Sequence, residues 1–486
     1  MMNIVCKSRI IYALFFTVFL IVNANSNAQN SVTANSSYTL QQCVDIAFAN
    51  NADVKQAELL ADAAKINYEQ SKANILPNLN AGIYHTIYNG RSINPYTNSY
   101  IDEQNTAASY QLTTAVTLWN GSSIQNYMKQ YALSYEAGKM DAQNAKDKVT
   151  INIILNYLAI LSAQEQLNIA EKQADASKKK VEILVLKNND GAIAPADLYD
   201  MRGQLAADEL SVINTKNNLE NAKLALAQLM NIPYSAGMKL EAITDGMLPL
   251  PYDATVEEVY NNAIQRLALV KAADLKVAST VKNIQAIKGQ MMPTLSLSGG
   301  LYTNYSSAAN TQQLISSSDV ATNNYVLVNN VKSPVYTTQS VYSSVPISYG
   351  NQWTNNLNSA ISVGLQIPIL NGFQYKNKLR LAKVAEQQAT VQAQTTKIQL
   401  RQAIEQDYVN LNAAYETYKN LLMQVADFEQ SFHSAEIRFN AGAITIVDYV
   451  IAKNNLDRVQ LNLIAAKYNY ILRTKVLDFY NNRNLW

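Results

Sequence analysis

The sequence predicts a mixed membrane α/β fold that is built from two tandem structural repeats. In each repeat, short β-strands continue into long α-helices that pack as coiled coils. Three observations predict this class: an internal duplication, four predicted strands without a charged residue, and a heptad pattern along the longest predicted helix. Strands of a water-soluble sheet normally place some charged side chains on their solvent-facing side, so uncharged strands favour a membrane barrel.

The N-terminus has the pattern of a signal peptide that covers residues 1–28. Lys7 and Arg9 give a basic start, residues 10–22 form an uninterrupted apolar run, and a small-residue SNA triplet follows. The alternative is an N-terminal membrane anchor, but 13 apolar residues are too few to span a bilayer of about 30 Å. No later segment has an apolar run long enough for a transmembrane helix. We therefore expect residues 29–486 to form one domain.

The composition excludes several classes of function. Residues 29–486 carry 37 basic and 37 acidic side chains, because two of the 39 basic residues leave with the signal peptide. A balanced charge gives no footprint for a nucleic-acid partner. Cys43 would be the single cysteine after cleavage, so we expect no disulfide, metal site or cofactor. Neither His85 nor His433 lies at a spacing from a nucleophile or a carboxylate pair that is typical of a catalytic site. We therefore do not expect enzymatic activity.

The chain carries an internal duplication with one insertion. TLQQCVDIAFANN begins at Thr39 and TVEEVYNNAIQRL begins at Thr255, and each is followed 38 positions later by a proline, Pro77 or Pro293. The offset between the halves is 216 residues here, but it is 251 residues further along the chain. The 35 extra residues therefore lie between Pro293 and Asn371. An internal repeat of this kind predicts two copies of one structural unit.

The larger offset aligns two strand-to-helix junctions. WNGSS contains Asn120 and Gly121, ILNGF contains Asn371 and Gly372, and Pro368 precedes the second pair. In both halves a GAI sequence follows 71 positions after the asparagine. The alignment predicts repeat one at about 39–231, a linker or equatorial segment at 232–254 and repeat two at about 255–480.

Each repeat contains two predicted strands in which apolar residues alternate with uncharged polar ones. The strands are at residues 79–88, 109–119, 295–305 and 358–370, and none contains Asp, Glu, Lys or Arg. Strands of about 9 to 11 residues with one apolar face fit a barrel with lipid outside and water inside. Aromatic residues near the strand ends are expected to form interfacial girdles: Tyr84, Tyr88, Tyr110, Trp119, Tyr302, Tyr305 and Phe373. The junctions then mark the exit of the chain from membrane to water.

The loops between paired strands, at about 89–108 and 306–357, are rich in Asn, Ser, Thr and Tyr. They would lie outside the cell. The second loop has room for additional short strands, and the sequence indicates no function for it.

From Asn120 to Lys187 the sequence contains no proline and only two glycines, which predicts a single long helix. At about 1.5 Å per residue its length is about 100 Å. Spacings of four and three residues alternate along its seam, and many of the side chains are small, which suits close helix–helix packing. The seam consists of Val149, Ile153, Asn156, Ile160, Ala163, Leu167, Ala170, Ala174, Ser177, Val181 and Leu184.

Shorter predicted helices flank the long one. Those at 51–76 and 195–230 add up to its length, so we expect them to stack end to end beside it. The second half repeats the arrangement with helices at 255–290 and 445–480 beside a long helix at 372–439.

Four strands in lipid would leave two edges with unpaired backbone groups, which the bilayer does not tolerate. Closure therefore requires strands from other copies of the chain. Eight strands would be filled with side chains, whereas twelve leave a channel. The copy number is not readable from these residues.

The stretch LQIPILNGFQYKNKL (365–379) resembles the strand-to-helix signature of the TolC family of outer-membrane efflux proteins. Residues 438–477 resemble the family's turn and final helix, residues 184–205 are their counterpart, and the resemblance covers about 39–480. It implies a homotrimer with a twelve-stranded outer-membrane β-barrel, four strands per chain. It also implies a twelve-helix tunnel in the periplasm of a Gram-negative bacterium, with an equatorial collar built partly from residues 232–254.

The resemblance implies a passive exit duct of a tripartite export system, for drug or small-molecule efflux or for type I secretion. Its partners would be a periplasmic adaptor (a membrane fusion protein), an inner-membrane pump of the RND or ABC type, and outer-membrane lipid. The pump would supply the energy, because the sequence has no nucleotide-binding motif. The alternative hypothesis is a periplasmic coiled-coil adaptor or scaffold of an envelope complex, which shares long helices but needs no uncharged strands.

The resemblance also implies roles at the far tip of the tunnel. The turns that meet the adaptor match Gly191, Ala192, Ile193, Gly442, Ala443 and Ile444. Asp448 matches the first acidic ring of the pore constriction, but the second ring position is Ile451, which departs from the family pattern. Asp200 occupies the equivalent position of the first half, and Asp197 joins it in the predicted constriction. The alternative role for Asp448 is that of an N-terminal helix acid that favours the macrodipole.

Overall fold

The computed structural model describes residues 37–93, 98–102, 104–242 and 251–483. The predicted signal peptide and residues 243–250 of the predicted linker lie outside these described residues.

The chain forms long helices and a small number of strands. In chain order the elements are α1 (Leu40–Asn50), α2 (Ala52–Ala73), β1 (Asn78–Tyr88), β2 (Arg91–Ile93), β3 (Tyr100–Asp102), β4 (Asn105–Trp119), α3 (Ser123–Asn189), α4 (Pro195–Met230), α5 (Val256–Arg266), α6 (Ala268–Gly289), β5 (Thr294–Ser306), β6 (Asn310–Val328), β7 (Val331–Pro346), α7 (Tyr349–Asn355), β8 (Asn358–Gln366), α8 (Gln374–Asn440) and α9 (Ile446–Asn481).

The helices of the two halves match in length and in order. α1 and α5 have 11 residues each, α2 and α6 have 22, α3 and α8 have 67, and α4 and α9 have 36. The 67-residue helices are about 100 Å long at about 1.5 Å per residue. The prediction of a helix over 195–230 is confirmed at both ends.

The first helix of each half begins at the same kind of cap. The Thr39 side chain accepts a hydrogen bond from the Gln42 backbone amide, and the Gln42 side chain accepts one from the Thr39 amide. Thr255 and Glu258 exchange the same pair of hydrogen bonds. Such capping boxes satisfy N–H groups that the first helical turn leaves unpaired, so they fix both helix starts.

Two of the predicted flanking helices are wrong in extent. The helix predicted at 51–76 begins at Ala52 and ends at Ala73, and the helix predicted at 255–290 is divided into α5 and α6 by Leu267. Leu267 has an extended backbone, with φ −59° and ψ 132°. The break lies at the position equivalent to Asn51, which separates α1 from α2 in the first half, and beside it the Arg266 guanidinium donates a hydrogen bond to the Phe479 carbonyl near the end of α9.

The two short helices of the first half stack end to end along α3, as predicted. The Asn51 side chain donates to the Leu229 carbonyl over 3.0 Å, and the Asn231 side chain donates to the Asn50 carbonyl over 3.1 Å. The same Asn51 side chain also caps α2 by accepting from the backbone amides of Asp53 and Val54. The pair of asparagines therefore joins the end of α4 to the start of α2.

The predicted heptad seam of α3 is a packing surface. Seven of its members are buried and the other four are half-buried. Buried residues of α1, α3 and α4 form one hydrophobic core, and those of α5, α8 and α9 form a second one. The repeated small and apolar side chains therefore serve the close helix pairing that the spacing predicts.

The helices and strands share one lateral order. α2, α3, α6 and α8 lie side by side in that order, and the strands of the main sheet are ordered β1-β4-β5-β8. Each strand is joined along the chain to the helix at the same place in the row, so the sheet continues the helical layer. Within the described part of the chain, every helix is too short or too polar to cross a bilayer.

The described residues of the predicted linker pack at the middle of the long helices. Tyr38 and Leu240 form a parallel β-bridge. The Tyr157 hydroxyl, on α3, donates to the carbonyls of Tyr38 and Glu241 over 3.1 and 2.6 Å. This contact holds the segment against the middle of α3.

Candidate functional site

The four-stranded sheet has one apolar and one polar face. Antiparallel partners lie on the same face, and the register pairs Ile83 with Tyr110, Leu112 with Leu301, and Leu297 with Val363. This apolar face is exposed in the single chain, and Ile361, about midway along the edge strand β8, is 83% accessible. The opposite face carries uncharged polar and small residues: Asn78, Asn80, Ser109, Gln111, Thr113, Ser296, Ser298, Asn304, Ser362 and Gln366. Lipid on the first face and water on the second account for both surfaces.

Two details of the strand prediction are wrong. β8 ends at Gln366 and does not continue to residue 370, because Pro368 lacks the N–H group that a ladder needs. Tyr84, Tyr88 and Tyr302 lie on the polar face, so they do not belong to a lipid-facing aromatic girdle. The Tyr302 ring instead occupies the space that a Cβ on a strand glycine, Gly300, would take.

The sheet is open at both sides. In the described chain, β1 pairs only with β4 and β8 pairs only with β5, so the outer edges of β1 and β8 have unpaired backbone groups. The adjoining helices at these two ends, α2 and α8, expose large apolar side chains: Leu59, Leu60, Ile66, Leu381, Val391, Ile398 and Val409. Exposed edges and exposed apolar residues together indicate a missing neighbour on each side.

The two strand-to-helix junctions share an unusual backbone. Gly121 and Gly372 have φ angles of +64° and +58°, and the next residues, Ser122 and Phe373, have φ angles of 63° and 60°. At Gly121 the conformation is reinforced by packing, because a Cβ there would lie 2.6 Å from the Gly289 carbonyl oxygen. Each junction asparagine, Asn120 or Asn371, is therefore followed by two consecutive residues in the left-handed region. Glycine adopts that conformation without steric cost, which explains its place after each asparagine.

The predicted tip turns come together at the end of the helices that is opposite to the sheet. Gly191 and Gly442 both have φ +71°, and the amides of Ala192 and Ala443 donate over 2.8 Å to the carbonyls of Lys187 and Arg438. Gly191, Ala192, Gly442 and Ala443 are exposed, whereas Ile193 and Ile444 are half-buried. The isoleucines pack against a buried cluster that joins the two halves: Leu184, Leu198, Met201, Ile446 and Tyr449.

The acidic residues of the predicted constriction lie just behind these turns. Asp448 is exposed, and its carboxylate accepts hydrogen bonds from the Thr445 hydroxyl over 2.8 Å and from the Thr445 amide over 3.2 Å. These hydrogen bonds, with a smaller effect of the Arg438 charge, hold the pKa of Asp448 below its usual range. Asp197 is half-buried in the first turn of α4, and Asp200 is exposed one turn later. The equivalent of Thr445 in the first half is Ala194, which has no side-chain cap.

The structure contains a buried charged cluster that the sequence analysis missed. The Lys453 ammonium, on α9, donates to the Asp208 carboxylate over 2.8 Å and also to Asp457. Asp208, on α4, accepts further hydrogen bonds from Ser177 over 2.5 Å and from Gln204 over 2.8 Å. Burial raises the pKa of Asp457 although the ammonium lies beside it. The signal in the sequence was Ser177, which with Asn156 is one of two polar residues on the seam.

Lys180 makes a second link between the two halves near the tip. Its ammonium donates to the Asn440 side chain over 3.0 Å and lies 4.9 and 4.8 Å from the ring centres of Phe439 and Tyr449. Burial lowers the pKa of Lys180 and raises that of Tyr449 to about 12. The aromatic rings therefore compensate part of the desolvation of the cation.

Comparisons with known proteins agree with this geometry. The sequence pattern of the family described as "Outer membrane efflux protein" matches residues 43–231 and 259–478. The chain is 22% identical over 441 residues to the outer membrane protein TolC of Escherichia coli K12, covering 89% of this chain and 80% of the relative. It is also 22% identical over 440 residues to the pyoverdine export outer membrane protein OpmQ of Pseudomonas putida, with coverage of 87% and 81%.

Solved structures share the fold at lower identity. The CmeC outer membrane channel of Campylobacter jejuni has a TM-score of 0.68 and 18% identity, and the match covers 93% of this chain and 90% of that one. The outer membrane protein VceC of Vibrio cholerae has a TM-score of 0.69 and 15% identity, with coverage of 92% and 97%.

Proposed function

The chain belongs to the family of outer membrane efflux proteins, and on this premise we propose that three copies close into one conduit through the outer membrane. In this homotrimer the four-stranded sheets would form a twelve-stranded barrel, and the helices would form a twelve-helix tunnel in the periplasm. The observation that supports it most directly is the open sheet with one apolar face, one uncharged polar face and two unpaired edges.

The lateral order of the elements suggests how the ring closes. β8 and α8 stand at one side of the chain, and β1 and α2 stand at the other. Inside the chain, the turn at Gly121 packs against Gly289 at the end of α6. The equivalent turn at Gly372 has no atom within 4 Å of a Cβ position. In the ring, Gly372 would pack against the end of the neighbour's α2, since α2 and α6 are equivalent. This is a head-to-tail contact that repeats until the ring closes.

The test combines oligomeric state with conductance. We expect protein extracted in detergent to sediment as a trimer, to dissociate on heating, and to form channels in planar lipid bilayers. A monomer that leaves the membrane without detergent would contradict the proposal. It would favour the second hypothesis, a periplasmic coiled-coil adaptor or scaffold, which does not account for the uncharged sheet or for the family match.

The proposed role is that of a passive duct in a tripartite system. The adaptor would bind the exposed tip turns at Gly191, Ala192, Gly442 and Ala443 with the half-buried Ile193 and Ile444, and an inner-membrane pump of the RND or ABC type would supply the energy. The OpmQ relative is named for pyoverdine export, which favours small-molecule efflux over type I secretion as the transported class.

We further propose that Asp448, with Asp200 and Asp197, lines the constriction at the tip. Asp448→Asn removes one carboxylate per chain but keeps an oxygen that can cap the helix. We expect it to raise conductance and to weaken block by divalent cations several-fold in planar bilayers. The block should persist as the pH falls from 7 towards 5, because the lowered pKa of Asp448 keeps its charge until the pH is below the usual carboxylate value of about 3.9.

The matched control separates the charge from the cap. Thr445→Ala removes the hydroxyl that binds Asp448 and leaves the carboxylate in place. If Thr445→Ala changes conductance as much as Asp448→Asn does, the effect is due to the helix start and the constriction assignment is wrong. Relief of the block near pH 6 to 7 would also contradict it.

A further inference from the structure

The insertion that distinguishes the second half is a long β-hairpin. β6 and β7 pair from Asn310–Pro346 to Val328–Val331 and so contain most of the extra residues. Asp319 and Lys332 are its only charged residues. The predicted additional short strands are therefore strands of 19 and 16 residues. Within the described chain, both outer edges of this two-stranded sheet are unpaired.

The base of the hairpin is fixed to the end of the barrel sheet that is opposite to the helices. The Ile347 amide donates to the Ala309 carbonyl over 2.9 Å, which closes the base. The helix α7 follows and packs on the apolar face, where the Thr303 hydroxyl donates to the Trp353 carbonyl and the Trp353 ring lies 4.8 Å from that of Tyr110. The hairpin therefore projects from a defined base and is not a loosely attached loop.

The far end of the hairpin is apolar. Asn329 and Asn330 form the turn with φ angles of 53° and 63°, as in a tight hairpin turn whose twist matches the strands. The register places Val328 with Val331 on one face, together with Val326, and it places Lys332 with Leu327 on the other. The three valines are each more than half exposed. An isolated two-stranded hairpin is marginally stable in water, so exposed valines at the end of one indicate a partner.

Sister hairpins are within reach of one another. Twelve strands about 4.8 Å apart, tilted by about 40°, form a ring with a radius of about 12 Å. The 19 residues of β6 span about 60 Å at about 3.3 Å per residue. A lean of roughly 12° would bring each tip to the axis of the ring. One acidic and one basic residue per hairpin leave no net charge to keep the tips apart.

We propose that the hairpins of the three subunits meet through their valine faces, at Val326, Val328 and Val331, above the extracellular mouth of the channel. The occupant of this apolar face is a second copy of the same chain. The inference rests on the proposed trimeric ring and adds to it an extracellular constriction that the first half of the chain does not build.

Single cysteines at the tip test the contact. In Val326→Cys the thiol lies on the valine face, and in Leu327→Cys, one residue further along, it lies on the opposite face. We expect oxidation to link Val326→Cys chains into disulfide dimers within the trimer at least five-fold more efficiently than Leu327→Cys chains. Wild type is the background control, because Cys43 is fully buried. Oxidised Val326→Cys channels should also conduct less, and a reductant should restore them.

The outcomes distinguish this inference from the proposed function. If the protein is trimeric and conducts, but Val326→Cys does not cross-link or cross-links no better than Leu327→Cys, the hairpin contact is wrong while the conduit stands. This result includes tips that bind another protein or a lipid surface. If the protein is monomeric, the conduit itself is wrong. If Val326→Cys cross-links more efficiently than Leu327→Cys in an intact trimer, the result supports both the hairpin contact and the conduit.

Discussion

Lys453→Met is expected to lower the free energy of unfolding by about 3–5 kcal/mol, because it leaves the buried carboxylate of Asp208 and the half-buried carboxylate of Asp457 without their cation. Lys453 is 4% exposed, and its ammonium binds Asp208 and Asp457. One positive charge therefore compensates two negative ones. Ser177 donates to the same Asp208 oxygen as Lys453 does, and Gln204 donates to the other oxygen. Thermal unfolding of the detergent-solubilised protein, followed by circular dichroism, measures the effect as a fall in Tm.

The control for this change is a lysine in a partly exposed pair on the same helix. Lys467 donates to Glu165 over 3.2 Å, and both side chains are more than one third exposed. Lys467→Met should cost less than about 1 kcal/mol, as surface pairs generally do. If Lys453→Met and Lys467→Met lower the free energy of unfolding equally, burial of the Lys453 cluster is not the cause of the loss. A second variant, with Asp208→Leu and Asp457→Leu added to Lys453→Met, should recover much of the lost stability, since it removes all three charges of this cluster.

The parts of the fold that local patterns determine could be predicted from the sequence. The start of α4 at Pro195 follows from proline at the first helical position, and the two left-handed tip turns follow from Gly191 and Gly442. The strands were recognisable because apolar residues alternate in them with uncharged polar ones, and the four predicted strands contain no Asp, Glu, Lys or Arg. The duplication strengthened each of these assignments, because each of these helices, strands and turns has a counterpart 216 or 251 residues away.

The missed parts depend on contacts between residues that are far apart in the chain. Asp208 and Lys453 are 245 positions apart, so neither segment alone reveals a buried pair. The break at Leu267 also lies beside a long-range contact, between Arg266 and the end of α9. The hairpin was underestimated for a different reason. Its two strands contain runs of Ser, Thr, Asn and Gln, and these runs interrupt the alternation of apolar and polar side chains that identifies a half-buried strand.

Family resemblance assigns Asp448 to the pore constriction, and the structure shows that the same residue has a second role in capping a helix. The first ring position, Asp448, is also the N3 residue of a capping box, and its counterpart Asp197 follows an uncapped Ala194. The hydrogen bonds of the capping box, with a smaller effect of the Arg438 charge, account for the lowered pKa of Asp448. The comparison of Asp448→Asn with Thr445→Ala separates the effect of the Asp448 charge from the effect of the helix cap, and so it tests whether Asp448 lines the pore.

The largest effect is expected from a charge on the apolar face of the sheet. Ile361→Arg places a guanidinium near the middle of the hydrocarbon layer, because Ile361 and its partner Gly299 lie about midway along their strands. A cation at that depth costs about 2–4 kcal/mol, and three copies in one barrel would raise this to about 6–12 kcal/mol. We expect the trimer to be lost from the outer-membrane fraction, as measured by its heat-dependent migration on gels.

Ser362→Arg is the matched control, because the neighbouring residue points to the polar face. Ser362 pairs with Ser298, and both lie among the Asn, Ser and Thr side chains that we assign to the water-filled lumen. The same guanidinium there should be solvated, so the trimer should assemble and only conductance and ion selectivity should change. Assembly of the Ile361→Arg trimer at normal levels, or loss of the Ser362→Arg trimer alone, would reverse the assignment of the two faces. The barrel proposal depends on that assignment, since lipid contact is the reason that the edges must close.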